Sequence, residues 1–402
     1  MSSRRILILT NRVPYPLSDG GNLAMKAMID GYRDEGWDVC LLTMNTSRHY
    51  VEPRIIHSAY PGVRVEIVDV NNDVKPIPAL MNYLLDSLPN HAARFNKPEF
   101  RQRLVELLNE LKPDVVQLES VFLSEYLPEI RKTTGLAVLR MHNVEWQVWA
   151  RVARETKSLV KKIYLQDLAK RIRKYEQRVW AQFDLLLAIT EVDAAIAKTY
   201  NDKVLTVPFG VDTTNVREVQ LARDWKAYHL GAMDWLPNAE AISWFLKEIW
   251  PAIRQKNPSL TFYYAGRNMP DSFRTMNIPG AICAGEVPNA DEFIADKNIL
   301  VVPLRSGGGI RVKILEAMAA GKLVVSTTVG MQGIEAVAGK HYFQANNPGE
   351  FTKALSRIVA DPAMARQIAM NGQELATGRY DRHHIAHRLA EELGYMLKNK
   401  TV

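Results

Sequence analysis

The chain is predicted to be an α/β protein built from two doubly wound domains, and three observations carry that prediction. Short apolar runs alternate with helical patterns along the whole length, as parallel sheets with helical crossovers require. Those runs fall into two sets of about six, parted by a stretch after Pro208 in which regular patterning lapses until Tyr228. A chain of 402 residues also exceeds what one core ordinarily holds.

In chain order the first set of strands is Arg5–Thr10, Val39–Met44, Val63–Val70, Asp114–Leu118, Ala137–Met141, Leu185–Ile189 and Val204–Pro208. The second is Tyr228–Ala232, Thr261–Ala265, Ile282–Gly285, Ile299–Leu304, Leu323–Ser326 and Tyr342–Gln344. Between Val70 and Asp114, Phe100, Leu104, Leu107, Leu108 and Leu111 keep the spacing of one buried helix face. Ile385, Leu389, Leu393, Met396 and Leu397 do the same at the end of the chain. The domains are therefore drawn as 1–208 and 209–381, with a terminal helix over 382–402. No internal repeat or low-complexity segment interrupts them.

Composition narrows the class. Hydrophobic content of 47% and charged content of 24% are those of a globular protein. No run of eighteen apolar residues exists to span a bilayer. Met1 to Thr10 has a superficial likeness to a signal peptide. Its apolar stretch is too short, and Asn11-Arg12 stand where small cleavage-site residues belong, so the segment reads as a strand. Cys40 and Cys283 both lie in strand-like runs far apart in sequence and read as inert core residues, neither disulfide nor metal pair, so the chain is expected to be cytoplasmic. The net charge of +7 favours anionic partners without choosing among phosphates, nucleic acid and lipid.

Doubly wound sheets bind ligands beyond the carboxyl ends of their strands. After Ile299–Leu304 comes Arg305-Ser306-Gly307-Gly308-Gly309-Ile310-Arg311-Val312-Lys313-Ile314-Leu315-Glu316, running into a helix that Gly321 closes. Three glycines let backbone approach a ligand, and the helix start offers unpaired N–H groups to an anion. Lys313, in the first turn, opposes the helix dipole, and a bound phosphate explains its presence. Glu316, one turn further, suits a ribose diol, with charge-assisted hydrogen bonds of about 1.5–3 kcal/mol each. The plainer alternative is a Glu–Lys surface pair beside an ordinary turn.

The run Gly309 to Ser326 closely resembles the donor-site helix of glycosyltransferase family four. Pro14-Tyr15-Pro16 through Asp19-Gly20-Gly21, His142-Asn143-Val144-Glu145, Pro208-Phe209-Gly210-Val211-Asp212, and Gly231 to Trp235 with Pro237-Asn238 extend the likeness over nearly the whole chain. The resemblance implies a GT-B fold, two Rossmann-like domains facing a cleft with the last helix crossing back to the first. It also implies a retaining, metal-independent transfer from a UDP- or GDP-sugar to a glycan or lipid-linked acceptor, without a cofactor. On that pattern the first domain serves the acceptor and the second the nucleotide sugar. Glu316 binds ribose, and the amides of Gly308, Gly309 and Ile310, beside Gly307, line the sugar and diphosphate. Lys313, with Arg311 or Arg267, supplies positive charge to the leaving diphosphate, and the loop at Val287 reads the base. Two positions depart from the family: Gly308 stands where a glutamate usually touches the sugar, and Ala232 where an arginine is frequent.

In the first domain, Gly20 and Gly21 follow the loop after the first strand and form a second anion site at a helix start, expected near Asn22. The resemblance puts them near the donor phosphates or the acceptor, beside Asp19. His142, at a strand end, is expected to contact the transferred sugar and orient the acceptor hydroxyl. Glu119 and Trp146 are expected to face the acceptor, or else to be a solvated glutamate and a core tryptophan.

From Arg151 to Arg178 there are ten Lys and Arg against three acids. An apolar face of Val160, Ile163, Tyr164, Leu168, Ile172, Tyr175 and Val179 is expected to pack on the first domain. The basic face is either solvated or a contact for an anionic membrane. Two other readings of the whole chain stand beside the transferase: a sugar-nucleotide epimerase of the same fold, and a non-enzymatic binder of nucleic acid or an anionic surface. No carboxylate pair offers itself for epimerase acid–base work. Aromatics are not interleaved with the basic stretch as single-stranded nucleic acid requires, so nucleic acid is not an expected partner.

Overall fold

The computed structural model describes residues 3–17, 20–73, 88–133, 135–214, 216, 218–221, 224–307 and 309–400. Its strands are β1 (Arg5–Thr10), β2 (Asp38–Thr46), β3 (Arg64–Val70), β4 (Val115–Leu118), β5 (Leu136–Met141), β6 (Leu185–Ala188) and β7 (Val204–Thr206) in one sheet. The other holds β8 (Lys226–Leu230), β9 (Thr261–Ala265), β10 (Ala281–Gly285), β11 (Ile299–Val302), β12 (Leu323–Ser326) and β13 (Phe343–Gln344). The helices that pack on these sheets include α1 (Gly20–Asp34), α2 (Pro98–Leu111), α3 (Glu145–Glu155), α4 (Leu159–Trp180), α5 (Leu236–Trp244), α6 (Val312–Ala319) and α7 (Arg382–Lys400).

The chain divides into two compact units, Met1–Gly210 with His383–Val402, and Val211–Arg382. Every strand pairing is parallel. Among the described residues the first unit has seven strands, one for each run read from the sequence, in the order β3-β2-β1-β4-β5-β6-β7, and the second six, in the order β10-β9-β8-β11-β12-β13. Each order reverses once, between β1 and β4 in the first unit and between β8 and β11 in the second. Those reversals are where open α/β sheets bind ligands.

Strand β1 shows why the first sheet is covered on both faces. Leu7 and Leu9 join one core with Phe100, Leu104 and Leu107 of α2 and with Ile172 and Val179 of α4. Ile6 and Ile8, pointing the other way, join the opposite core with Met28 and Ile29 of α1 and Leu389 and Leu393 of α7. Each such aliphatic, fully buried, contributes about 1.5–3 kcal/mol. The terminal helix thus belongs to the first unit. In the second unit, Ile299 and Val301 of β11 pack with Phe245, Trp250, Phe262 and Phe351.

Three expectations need correction. Helix α1 starts at Gly20, two residues before Asn22. Cys283 is only half-buried, whereas Cys40 is buried, its thiol pushed up to about 12 by that burial; both are free. On α4 the core takes Leu168, Ile172, Tyr175 and Val179, but Val160 and Ile163 stand in solvent.

Candidate active site

The switch point of the second unit is built by three loops, those after β8, β9 and β11. The first two are locked together: Met233 N–H donates to the Arg267 carbonyl at 2.8 Å. A Cβ on Gly266 would lie 1.8 Å from the Gly231 carbonyl oxygen, so only glycine permits that approach. The third loop carries Gly307 at φ +111° against the indole of Trp235. Arg311 stands just before α6 without its side chain capping the helix; its guanidinium lies 5.3 Å from the centre of the Trp235 ring and bonds the Gly309 carbonyl.

Lys313 turns inward from the first turn of α6. Its ammonium donates to the Leu230 carbonyl at 3.0 Å and, more weakly at 3.4 Å each, to Asn238 Oδ1 and His229 Nε2. His229 is wholly buried, and its Nδ1 bonds the Val301 carbonyl at 2.8 Å. That bond places the hydrogen on Nδ1 and leaves Nε2 as an acceptor for the lysine. Asn238 lies in the first turn of α5 and donates to the Ala232 carbonyl at 2.9 Å. The ammonium thus meets three neutral acceptors and, among the described residues, no carboxylate. Burial, and then the charge of Arg311, lower its pKa to about 7. His229 is pushed well below the usual imidazole range by burial and by Lys313, so the pair carries one positive charge at most.

Glu316 does not pair with Lys313, which removes the reading as a surface ion pair. Its side chain reaches solvent, yet protein crowds it enough that desolvation, with Asp291 adding, raises its pKa. Lys313 and Glu316 are each shifted away from their charged forms. A ligand with a negative group over the lysine and hydroxyls over the glutamate reverses both penalties.

The remaining positions named from the sequence fall around this centre. Gly307, Gly309 (φ +78°) and Ile310 form the loop before α6, and Gly308 lies outside the described residues. Arg311 is 6% exposed, which makes it a brace for the loop rather than an open phosphate ligand. Arg267 is well exposed, 3.8 Å from Asp234. Val287 is half-buried just after β10, the edge strand. Sequence reasoning gave no role to His229, Asn238 or Trp235. The available signals were a histidine set in the apolar run Ala227–Leu230 and a Trp-Leu-Pro-Asn helix start.

In the first unit, β4 ends beside β1: the Glu119 N–H donates to the Leu9 carbonyl at 3.0 Å. Glu119 Oε2 holds His142 Nε2 at 2.8 Å, and Oε1 accepts from Gln117 Nε2 at 2.6 Å. Gln117 in turn accepts from the Tyr32 hydroxyl at 2.6 Å. Arg140, 1% exposed, lies 3.6 Å from Glu119 and donates to the Ala24 carbonyl at 2.8 Å. Burial opposes ionisation of Glu119, but Arg140, His142 and Gln117 together win and hold its pKa below the ordinary value.

Its side chain is fully buried, so Glu119 stands behind His142 rather than on a surface open to an acceptor. His142 is 20% exposed on its side chain. With hydrogen on Nε2 directed at the carboxylate, Nδ1 is left as the acceptor. Trp146 also differs from a freely accessible surface residue. It packs against the core with the Arg173 guanidinium 4.9 Å from its ring centre. Glu176 of α4 accepts from the Glu145 and Trp146 amides, both at 2.9 Å, and so caps α3 and fixes the turn after His142. Gly20 and Gly21 open α1, and Asp19 lies outside the described residues.

The Arg140–Glu119 pair gives a direct test of this network. Arg140→Met leaves a buried carboxylate without its cation and is expected to cost about 3–5 kcal/mol of stability, read as a shift in urea midpoint. Glu119→Gln added to it should restore much of that loss. If Arg140→Met alone unfolds at the parent midpoint, the pair is not what keeps Glu119 ionised.

Two parallel, doubly wound sheets with their sites at the switch points are the arrangement of GT-B glycosyltransferases. Residues 226–361 match the model of the family described as glycosyl transferases group 1, and the second unit carries a domain of that group. The chain is a glycosyltransferase. A 44.6 kDa protein in the cps region of Klebsiella pneumoniae is 24% identical over 400 residues, spanning 94% of this chain and 96% of that protein. Among solved structures, sucrose-phosphate synthase from Thermosynechococcus elongatus superposes with a TM-score of 0.68 at 15% identity, covering 98% of this chain and 100% of that one. Anabaena HepE in complex with UDP gives 0.66 at 14% identity, over 97% and 100%. The lipopolysaccharide outer core galactosyltransferase WaaB gives 0.62 at 12% identity, over 98% and 99%.

Proposed function

We propose that the chain is a retaining, metal-independent glycosyltransferase that uses a UDP- or GDP-sugar and glycosylates a hydroxyl of a glycan or lipid-linked acceptor during polysaccharide assembly. The observation that carries this reading is Lys313, an ammonium that meets no counter-charge among the described residues at the second unit's switch point, one helical turn from Glu316. Diphosphate oxygens meet the lysine and the free amides at the start of α6, and the ribose diol meets Glu316. Anabaena HepE has been captured with UDP and with UDP-glucose, and a relative lies in a cps region; both favour this donor class and this pathway.

In the transfer, the bond from the sugar C1 to the diphosphate oxygen breaks. The acceptor oxygen bonds C1 on the same face, and its proton passes to the departing phosphate. Lys313 and the α6 amides stabilise the charge that develops on that phosphate, the task a metal ion performs elsewhere. The first unit takes the acceptor, with His142 orienting its hydroxyl. We place the enzyme in the cytoplasm at the inner face of the cell membrane, where such acceptors are extended. No described helix is long and apolar enough to cross a membrane.

A thermal-shift screen across uridine, guanosine, adenosine and thymidine diphosphate sugars tests the donor class. A ligand at about one hundred times its Kd adds about 2.7 kcal/mol of apparent stability. One base is expected to respond, and Glu316→Ala is expected to abolish the response. A uniform lack of response overturns the reading.

A further inference from the structure

We infer that the turn joining α3 to α4 is a docking tip for an anionic phospholipid bilayer. Four aliphatic side chains gather there in solvent: Leu159 at 70% exposure, Val160 at 79%, Ile163 at 58% and Val152 at 39%. Three of them fall within the first five residues of α4. Further along the same helix the apolar side chains enter the core, so the exposed cluster is confined to the tip.

The charge around the cluster is one-sided. Arg154, Lys157 and Lys161 are exposed and Lys162 half-buried, against the single acid Glu155 in the same stretch. Aliphatics ringed by Lys and Arg at the end of a helical hairpin match an interface in which hydrocarbon meets phosphate headgroups. A second copy of the chain is a poorer occupant. A two-fold contact through this tip brings the same cations against each other, and the single acid of the stretch, Glu155, does not balance the four of them. A bilayer supplies both the apolar layer and the counter-charge. Docking here holds the first unit at the membrane surface, which serves a lipid-linked acceptor. That benefit rests on the proposed function, but the surface itself does not.

The test is co-sedimentation of the full chain with vesicles of phosphatidylcholine alone and of phosphatidylcholine mixed with phosphatidylglycerol. Binding is expected only to the mixed vesicles, and to weaken as salt rises. Combining Leu159→Ser, Val160→Ser and Ile163→Ser should lower partitioning at low salt by about tenfold or more, with Tm unchanged because all three positions are exposed. Lys157→Ala and Lys161→Ala should each lower it by about fivefold, which keeps the test decisive if the triple variant folds poorly. Glu316→Ala should bind vesicles as the parent does, so a failed donor site and a failed docking tip give different results. Equal binding by parent and tip variants overturns the inference. So does a tip variant that changes only the oligomeric state in size-exclusion chromatography, which would assign the surface to self-association.

Discussion

Lys313→Met is expected to lower kcat/KM for the sugar donor by about 10²–10³-fold, the usual cost of removing one group that stabilises developing charge. Stability at pH 7 should change by no more than about 1 kcal/mol. Methionine keeps the half-buried stem and discards a charge that, among the described residues, is met by the Leu230 carbonyl, Asn238 and His229. A large catalytic loss with little change in Tm separates a donor-site role from a packing role.

The same lysine predicts a pH dependence whose sign follows from its pKa. Free, it titrates at about 7, and a bound diphosphate favours the ammonium and raises that value. Below about pH 7 the lysine is already charged, and affinity for the nucleoside diphosphate is flat. Above it, binding must take up a proton, so affinity falls by as much as about tenfold per pH unit until the bound-state pKa is reached. Calorimetric titrations in buffers of different ionisation enthalpy read the proton uptake directly. It should vanish in Lys313→Met.

The second large effect is expected at His142. His142→Ala should cut turnover by about 10²-fold or more while leaving affinity for the nucleoside diphosphate unchanged. Glu119→Gln tests the residue behind it. The amide keeps the shape of the carboxylate but loses the charge that fixes the histidine's hydrogen on Nε2, so a smaller loss, about tenfold, is expected in kcat rather than KM. Near-normal turnover in His142→Ala removes His142 from the mechanism, whatever Glu119→Gln shows.

Fold and site were legible to different depths. Strands buried on both faces declare themselves as apolar runs: Arg5–Thr10 is β1 as read, and Ile299–Leu304 contains β11, which ends two residues sooner at Val302. Boundaries blurred where local chemistry permits either state, as at Gly20, where the structure starts α1 and the pattern alone pointed to Asn22. The glycine loop and the position of Lys313 on its helix were equally readable, because both depend on neighbours in sequence.

The direction of the Lys313 side chain was not readable. Its partners Leu230, His229 and Asn238 lie 75–84 residues away and meet it only because β8 pairs with β11. The same limit hid Glu119: a glutamate closing a strand reads as solvated until Arg140 and His142 are folded against it. Val160 and Ile163 keep perfect helical spacing with Leu168 and Ile172, but periodicity cannot show that the core ends before the helix does.

The loop before α6, with Lys313 and Glu316, is proposed as the donor site. A crystal structure with the nucleoside diphosphate chosen by the thermal screen tests it most directly. Diphosphate oxygens are expected within hydrogen-bond distance of Lys313 Nζ and the first amides of α6, with both ribose hydroxyls on Glu316. A nucleotide bound elsewhere, or bound here with its ribose turned away from Glu316, would contradict it.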